Sequence, residues 1–241
     1  MKIFILGVGD AFSSANYNVS FIIQGENGFN LAIECPHPYL KILRDIRKIN
    51  KKVPDISNIN NFLITHLHSD HCSGLETLGF YKKSIENKKL GVAMGWNDHL
   101  KHQDMLVPSM GETIIDNKKQ RISIYEYFNY SAILDLSIGP FTIKSRATDH
   151  YIPANAVLIT ENNKTLGFSG DTKFDLGLLE WLDQADFILH ETGPAPGHTP
   201  LENLLTLPKH LKRKIRLIHY SDSFHTNEFT MARQGETICI G

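Results

Sequence analysis

The sequence predicts an α/β fold in which two β-sheets pack together and helices cover their outer faces. Two series of β-rich segments, each followed by helical patterns, run through the 241 residues. A hydrophobic content of 41% is ordinary for a globular protein with a sizeable core. The sequence contains no internal repeat, low-complexity segment or linker composition. We therefore expect residues 1–241 to form one domain.

The first series consists of short apolar strands separated by turn residues and by amphipathic helices. Residues Gly25–Gly28 are typical of a hairpin turn. After Pro38, apolar residues recur at helical spacing, which indicates a helix. We predict strands at Lys2–Val8, Val19–Gln24, Asn30–Glu34, Asn61–Thr65 and Leu90–Met94, and helices at Tyr39–Asn50 and Ser73–Ile85.

The second series begins after a segment that is harder to assign. Gly95–Glu112 contains Pro108 and several polar residues, and we predict a short helix followed by an irregular loop. Beyond it, strands are predicted at Arg121–Phe128, Ala132–Ile138, Phe141–Ala147, Ala156–Thr160, Thr165–Ser169, Phe187–His190, Ile215–His219 and Thr237–Ile240, and helices at Asp175–Leu182, after Pro200 and at Thr226–Arg233.

Four side chains that suit metal ions follow the strand Asn61–Thr65 directly. They are His66, His68, Asp70 and His71. Open sheets of α/β proteins commonly place their sites beyond the carboxyl ends of strands. Imidazole nitrogen and carboxylate oxygen suit borderline divalent cations, zinc first among them. Four such groups within six positions serve two ions better than one, so the spacing predicts a dinuclear site.

Three further residues of the same chemical types end later strands. His150 follows Phe141–Ala147, Asp171 follows Thr165–Ser169, and His219 ends Ile215–His219. If these strand ends lie on one side of the sheets, the three side chains converge on the first cluster.

The order His66-x-His68-x-Asp70-His71, then His150, Asp171 and His219, resembles the ligand set of the metallo-β-lactamase superfamily. This resemblance implies a four-layer αβ/βα sandwich with two divalent cations at the edge between the sheets. One cation would be held by His66, His68 and His150. The other would be held by Asp70, His71 and His219, with Asp171 and a hydroxide bridging both.

Other motifs are similar to those of the tRNase Z and cyclic-nucleotide phosphodiesterase branch, which includes phage-type anti-Pycsar enzymes of similar length. They are Gly7-x-Gly9 with Asn18-Val19-Ser20, Phe168–Thr172, Phe187–Thr192 and His198-Thr199. By this resemblance Asp70, His190 and Glu191 are catalytic: His190 protonates the leaving oxygen and Glu191 orients His219. The substrate would contact Ser20, Thr172, His190 and His198.

The interval between His150 and Asp171 argues for a small substrate. Bacterial tRNase Z carries a long basic arm there, whereas here the two positions are 21 apart. A net charge of −1 also gives little attraction for a large nucleic acid. We therefore predict hydrolysis of 3′,5′-cyclic nucleotides to 5′-monophosphates by attack of the bridging hydroxide. The alternatives are a tRNase Z-type 3′-end endoribonuclease and, less favoured, a thioester or lactone hydrolase.

The remaining expectations concern metals, assembly and location. Zinc is expected in both sites, although manganese or iron suits the same ligands. Homodimers occur in this branch, so a homodimer is expected. The three widely spaced cysteines indicate reduced thiols rather than a disulfide framework. No stretch has the length of a signal peptide core or a membrane span, so we expect a cytoplasmic protein without membrane contact.

Overall fold

A computed structural model describes residues 1–241, except for the side chain of residue 115. The chain forms two seven-stranded sheets and a small hairpin, with helices on the outside. Its strands are β1 (Lys2–Gly7), β2 (Ser20–Gln24), β3 (Asn30–Ile33), β4 (Asn61–Leu63), β5 (Leu90–Met94), β6 (Glu112–Ile115), β7 (Lys118–Arg121), β8 (Phe128–Ala132), β9 (Leu136–Ile138), β10 (Phe141–Thr148), β11 (Ala154–Glu161), β12 (Lys164–Phe168), β13 (Phe187–Glu191), β14 (Ile215–Ile218), β15 (Thr230–Met231) and β16 (Thr237–Cys239). Its helices are α1 (Tyr39–Ile49), α2 (Ser69–Cys72), α3 (Leu75–Glu86), α4 (Asp98–Met110), α5 (Leu176–Leu182), α6 (Leu201–Leu205) and α7 (Lys209–Lys214).

The two sheets have the strand orders β16-β1-β2-β3-β4-β5-β8 and β15-β14-β13-β12-β11-β10-β9. In the second sheet β12, β13, β14 and β15 are parallel, and β10 runs in the same direction as β12 because both are antiparallel to β11. Strands β3, β4, β5 and β8 of the first sheet are also parallel. The strands that precede the ligand-type residues within each sheet therefore end at a common edge.

Three apolar cores hold the layers together. The central core lies between the sheets, where Phe21 of β2 meets Phe168 of β12 with ring centroids 5.1 Å apart. A second core packs α1, α3 and α4 on the first sheet, and a third packs α5, α6 and α7 on the second. This arrangement confirms the predicted four-layer αβ/βα sandwich.

Three predicted elements were wrong. The predicted strand Arg121–Phe128 is a 3₁₀ turn at Ile124–Glu126 between β7 and β8. The predicted strand Ala132–Ile138 includes only the last residue of β8 and then, after a gap, the whole of β9. The predicted helix Thr226–Arg233 contains the short strand β15, whose Thr230 and Met231 pair with β14 at the sheet edge.

Helix α4 replaces most of the expected irregular loop. Its buried residues Asp98, His102, Leu106 and Met110 recur every fourth position and so share one face. Polar side chains at two of these positions hide the helical pattern in the sequence. No helix in the described part of the chain has both the length and the apolar character needed to cross a bilayer.

The buried imidazole of His102 predicts a loss of stability in acid. Burial lowers the pKa of His102 to about 4, and its Nδ1 lies 2.8 Å from the Tyr130 hydroxyl. In the unfolded chain the imidazole takes up a proton near pH 6.5. The stabilisation that the buried neutral imidazole contributes is therefore complete above that pH and is lost as pH falls toward 4. We expect His102→Asn to shrink the difference in unfolding free energy between pH 7 and pH 4.5 by about 2 kcal/mol. Urea unfolding at both pH values measures it. The exposed His225→Asn is the control and should leave the difference unchanged.

Candidate metal centre

The seven ligand-type residues meet at the common edge of the sheets. His66 follows β4, and Asp70 and His71 lie in the short helix α2. His150, Asp171 and His219 follow β10, β12 and β14. Their nitrogen and oxygen atoms form two compact groups, His66–His68–His150–Asp171 and Asp70–His71–His219.

In the first group three imidazole nitrogens face one another. His68 Nδ1 lies 3.0 Å from His66 Nε2 and 3.1 Å from His150 Nε2. Ligands at about 2.0–2.1 Å around a tetrahedral cation are separated by about 3.3–3.4 Å. The three nitrogens therefore lie close to the spacing that one such cation requires.

The second group has a similar spacing around a carboxylate. Asp70 Oδ2 lies 3.2 Å from His71 Nε2 and 3.3 Å from His219 Nε2. His219 has a φ of 54°, a left-handed conformation that is rare outside glycine. Such backbone costs of order 1–3 kcal/mol and persists where surrounding structure enforces it, often at functional sites.

Asp171 lies between the two groups. Its Oδ2 is 3.4 Å from His71 Nε2 and 3.5 Å from His219 Nε2 of the second group. The same atom is 3.8 Å from His66 Nε2 and 3.7 Å from His150 Nε2 of the first group. A carboxylate in this position can bridge two cations.

Burial and charge act in opposite directions on these side chains. Burial lowers the pKa of His66 well below its ordinary value and also lowers the pKa of His68. For His71 burial acts downward, but the carboxylates of Asp171, Glu34 and Asp70 outweigh it and raise its pKa. The surrounding imidazoles outweigh the burial of Asp70 and Asp171 and hold both carboxyl pKa values below the usual range. The imidazoles thus favour the ionised forms of Asp70 and Asp171.

Several buried polar atoms of the cluster lack a hydrogen-bond partner among the described residues, including His71 Nε2 and Asp171 Oδ1. Leaving such atoms unsatisfied costs about 1–3 kcal/mol each, more for charged groups. Divalent cations coordinated by these atoms would remove that cost. The donor set and its spacing therefore fit two divalent cations.

Neighbouring groups hold the imidazole rings in orientation. His150 Nδ1 donates to the Gly197 carbonyl at 2.8 Å, which leaves Nε2 free to act as a ligand atom. His66 Nδ1 lies 3.0 Å from the Thr65 hydroxyl. These contacts select the ring nitrogen that faces the cluster.

Glu34 is a supporting residue that the sequence did not reveal. Its fully buried carboxylate lies 3.3 Å from His71 Nδ1 and accepts hydrogen bonds from the Thr65 amide and hydroxyl. Its φ of 61° is left-handed. Only its position directly after β3 could have drawn attention to it.

We expect Glu34→Gln to weaken binding of the cation at His71 by about 10–100-fold, because the carboxylate orients the imidazole and raises its basicity. Competition against a chromophoric chelator measures the affinity. Glu161→Gln is the matched control, since Glu161 is also buried but accepts from the Glu26 amide away from the cluster. Equal affinities in the Glu34→Gln variant and the wild-type protein would contradict the role.

Glu191 and His198 form a pair beside the cluster. Glu191 Oε1 lies 3.1 Å from His198 Nδ1, and His198 Nδ1 is 3.9 Å from Asp171 Oδ2. Glu191 was expected to orient His219, but no hydrogen bond joins the two: His219 Nε2 faces Asp70 and Asp171, and His219 Nδ1 has no partner among the described residues. The imidazole that Glu191 contacts is therefore that of His198.

His190 does not share this position. Ile188 packs in the third core, under α5, α6 and α7, and Leu189 packs in the central core. Strand alternation therefore places His190 on the helix-covered face of β13. His190 is 1% exposed, and its Nδ1 donates to the Glu191 carbonyl at 2.7 Å. Burial lowers its pKa to about 4. His190 is not among the residues that meet at the cluster, and its assignment as proton donor and substrate contact stays a prediction.

Two other predicted substrate contacts are also buried, and they stay predictions. Ser20 is fully buried, and its hydroxyl donates to the Asn18 carbonyl at 3.3 Å. Thr172 is 1% exposed, and its hydroxyl donates to the Lys173 carbonyl. The Thr172 amide donates to Glu191 Oε1 at 2.8 Å, so Thr172 supports the Glu191–His198 pair. His198, also predicted as a substrate contact, lines a slot beside the cluster.

Comparisons with known proteins agree with this architecture. Residues 1–238 match the sequence model of the family described as Anti-Pycsar protein Apyc1. The Anti-Pycsar protein Apyc1 of Bacillus phage vB_BsuM-Goe3 is 27% identical over 99% of this chain and 98% of its own length. A cAMP/cGMP-dependent 3′,5′-cAMP/cGMP phosphodiesterase B of Dictyostelium discoideum is 28% identical over 92% of this chain and 20% of that protein.

Solved structures show the same fold. The metallo-β-lactamase fold protein YhfI from Bacillus subtilis superposes with a TM-score of 0.77 at 17% identity, over 98% of both chains. Human tRNase Z, short form, superposes with a TM-score of 0.73 at 18% identity, over 100% of both chains. These identities support a shared fold and nothing more specific.

Proposed function

The chain belongs to the Anti-Pycsar protein Apyc1 family and is a metal-dependent hydrolase, and on that premise we propose that it hydrolyses 3′,5′-cyclic nucleotides to 5′-monophosphates. The observation that carries the proposal is Asp171, whose carboxylate lies between two groups of ligand atoms. Two cations separated by about 3.5–4 Å suit an in-line displacement at phosphorus. The similarity to a cyclic-nucleotide phosphodiesterase supports the same reaction.

We propose zinc as the cation in both groups because five of the seven donors are imidazoles. One cation would be held by His66, His68 and His150, the other by Asp70, His71 and His219, with Asp171 between them. When bound, the pair supplies Lewis acidity and lowers the pKa of a shared water toward about 7.

The residues of the chain then have separate tasks. In the hydrolysis, water oxygen forms a bond to phosphorus and the bond from phosphorus to the 3′ oxygen breaks. The departing alkoxide needs a proton, and His198 is the candidate donor because its Nδ1 contacts Glu191 and its other nitrogen remains for the substrate. Glu191 holds the ring in orientation. Thr172 in turn holds Glu191 through its amide.

A small phosphodiester suits the surroundings better than a structured RNA. Strands β11 and β12 occupy most of the interval between His150 and Asp171, as expected for a chain without an RNA-binding arm there. The net charge of −1 provides no overall attraction for a polyanion.

Product analysis tests the proposal. The protein, loaded with zinc or with manganese, is incubated with cAMP, cGMP, cCMP, cUMP, a 3′-extended tRNA precursor and a thioester. We expect 5′-monophosphates from the cyclic nucleotides and no product after removal of metal with a chelator. Preferential cleavage of the tRNA precursor, or turnover of the thioester alone, would overturn the proposal.

We also propose a homodimer in the cytoplasm. Trp96, Leu100, Met105 and Val107 are 74%, 52%, 56% and 52% exposed, a concentration of apolar side chains that suits contact with a second subunit. Light scattering should give twice the chain mass of 27.3 kDa. Three free cysteines suit a reducing compartment, and fractionation of expressing cells tests the location.

A further inference from the structure

An apolar slot opens beside the ligand cluster, next to His198 and His219. Ala11 and Phe12 line one part of it, and Gly193–Ala195 line another. Its enclosed space is only about 40 Å³, well below the range of about 300–1,000 Å³ for enclosed small-molecule sites, so a ligand would lie across its opening. Because His219 belongs to the second ligand group, the slot is continuous with the candidate metal centre.

Phe12 is the most exposed large hydrophobic side chain of those described, with 92% of its surface in water. Covering such an exposed aromatic ring with a flat apolar partner is favourable because it removes apolar surface from water. Isolated exposed apolar residues are common, and they gain meaning when they stand at a site. Phe12 stands at the opening of the slot beside the cluster.

The loop that carries Phe12 is tightly anchored. The Phe12 amide donates to Asp10 Oδ1 at 3.0 Å. Asp222 accepts hydrogen bonds from the Ser14 and Ala15 amides at 2.7 and 2.8 Å. Asp222 lies only three residues beyond the ligand-type residue His219, so the loop is tied to the metal centre itself. The backbone that carries the exposed ring is therefore held in place beside the cluster.

Resting on the proposed phosphodiesterase function, we propose that Phe12 is the stacking platform for the nucleobase of the cyclic nucleotide. The anionic phosphate would lie at the cations, and the uncharged base would lie across the opening of the slot against the exposed Phe12 ring. Every base has a flat π-face, so stacking tolerates all four bases. Ala11, Pro194 and Ala195 line the slot with side chains that offer no hydrogen bonds, and the Asp10 carboxylate, which also lines it, accepts from the Phe12 amide. Purines, with the larger rings, gain more from this surface than pyrimidines.

Kinetics of Phe12→Ala and Phe12→Tyr test the proposal on cAMP, cCMP and a baseless 3′,5′-cyclic ribose phosphate. For Phe12→Ala we expect KM for cAMP to rise about tenfold with little change in kcat. The rise for cCMP should be smaller, and KM for the baseless analogue should not change. Phe12→Tyr, which keeps the ring, should behave as the wild-type protein does.

A binding measurement supplies a second readout. Phe12→Trp places an indole in the slot, and a slowly hydrolysed cyclic phosphorothioate of adenosine should quench its fluorescence on stacking. The wild-type protein, with only Trp96 and Trp181, gives the background signal.

Three results for Phe12→Ala would overturn the inference. They are an unchanged KM for cAMP, a rise in KM for the baseless analogue equal to that for cAMP, and a molar mass below that of the wild-type protein with KM unchanged. The last would make Phe12 a subunit contact. Failure of the wild-type protein to hydrolyse any cyclic nucleotide would instead refute the proposed function. The Phe12→Trp quench still decides whether a base binds in the slot.

Discussion

Asp171→Asn is expected to lower kcat/KM for cyclic nucleotides by about 10³-fold or more and to reduce the metal content below two cations per chain. The carboxylate lies within 4 Å of histidine nitrogens from both ligand groups. An asparagine keeps the shape but removes the charge that a bridge between two cations needs. A 10³-fold loss corresponds to about 4 kcal/mol, within the several kcal/mol attributed to metal-ion catalysis.

Metal content by elemental analysis and steady-state kinetics measure the two effects on the same sample. Asp183→Asn is the matched control, because Asp183, at the end of α5, pairs with Lys214 of α7 at 2.8 Å away from the cluster. It should retain two cations and full activity. If Asp171→Asn bound two cations and kept more than a tenth of the activity, Asp171 would not be the bridge.

The elements that follow strict periodicity could be predicted from the sequence. The strands beside the central core alternate regularly, and α1 has a clear apolar face at Ile42, Leu43 and Ile46. The segment around β15 could not be predicted, because its structure depends on pairing with β14 at the sheet edge. There Phe229 packs in the third core, under α5, α6 and α7, and Ala232 packs in the central core. Such long-range contacts override local propensity.

In the candidate site, too, some residues could be predicted from the sequence and others could not. The motif from His66 to His71 and the single residues at strand ends identified the seven side chains that the structure brings together. Glu34 could not be found, because nothing in its local sequence distinguishes a buried carboxylate behind His71 from an ordinary strand end. The sequence also could not say which of His190 and His198 faces the cluster. That choice depends on the face of β13 and on the path of the loop after Gly193, which Thr192 and Thr199 hold by side-chain hydrogen bonds.

The different positions of His190 and His198 lead to the second prediction with a large expected effect. If His198 protonates the departing 3′ oxygen, His198→Gln should lower kcat for cAMP by about 10²–10⁴-fold, the usual contribution of a general acid. The same variant should lose much less on a phosphodiester with a p-nitrophenolate leaving group. That leaving group departs readily without a proton, so the acid contributes little to its release.

His190→Gln is the comparison that separates catalysis from packing. His190 is buried on the helix-covered face of β13, so its substitution should lower the free energy of unfolding. It should reduce kcat on both substrates by the same small factor. Glu191→Gln should resemble His198→Gln in its dependence on the leaving group, because Glu191 acts through the His198 ring. A His198→Gln variant that lost the same factor on cAMP and on the p-nitrophenyl ester would show that His198 binds the phosphate rather than donating the proton.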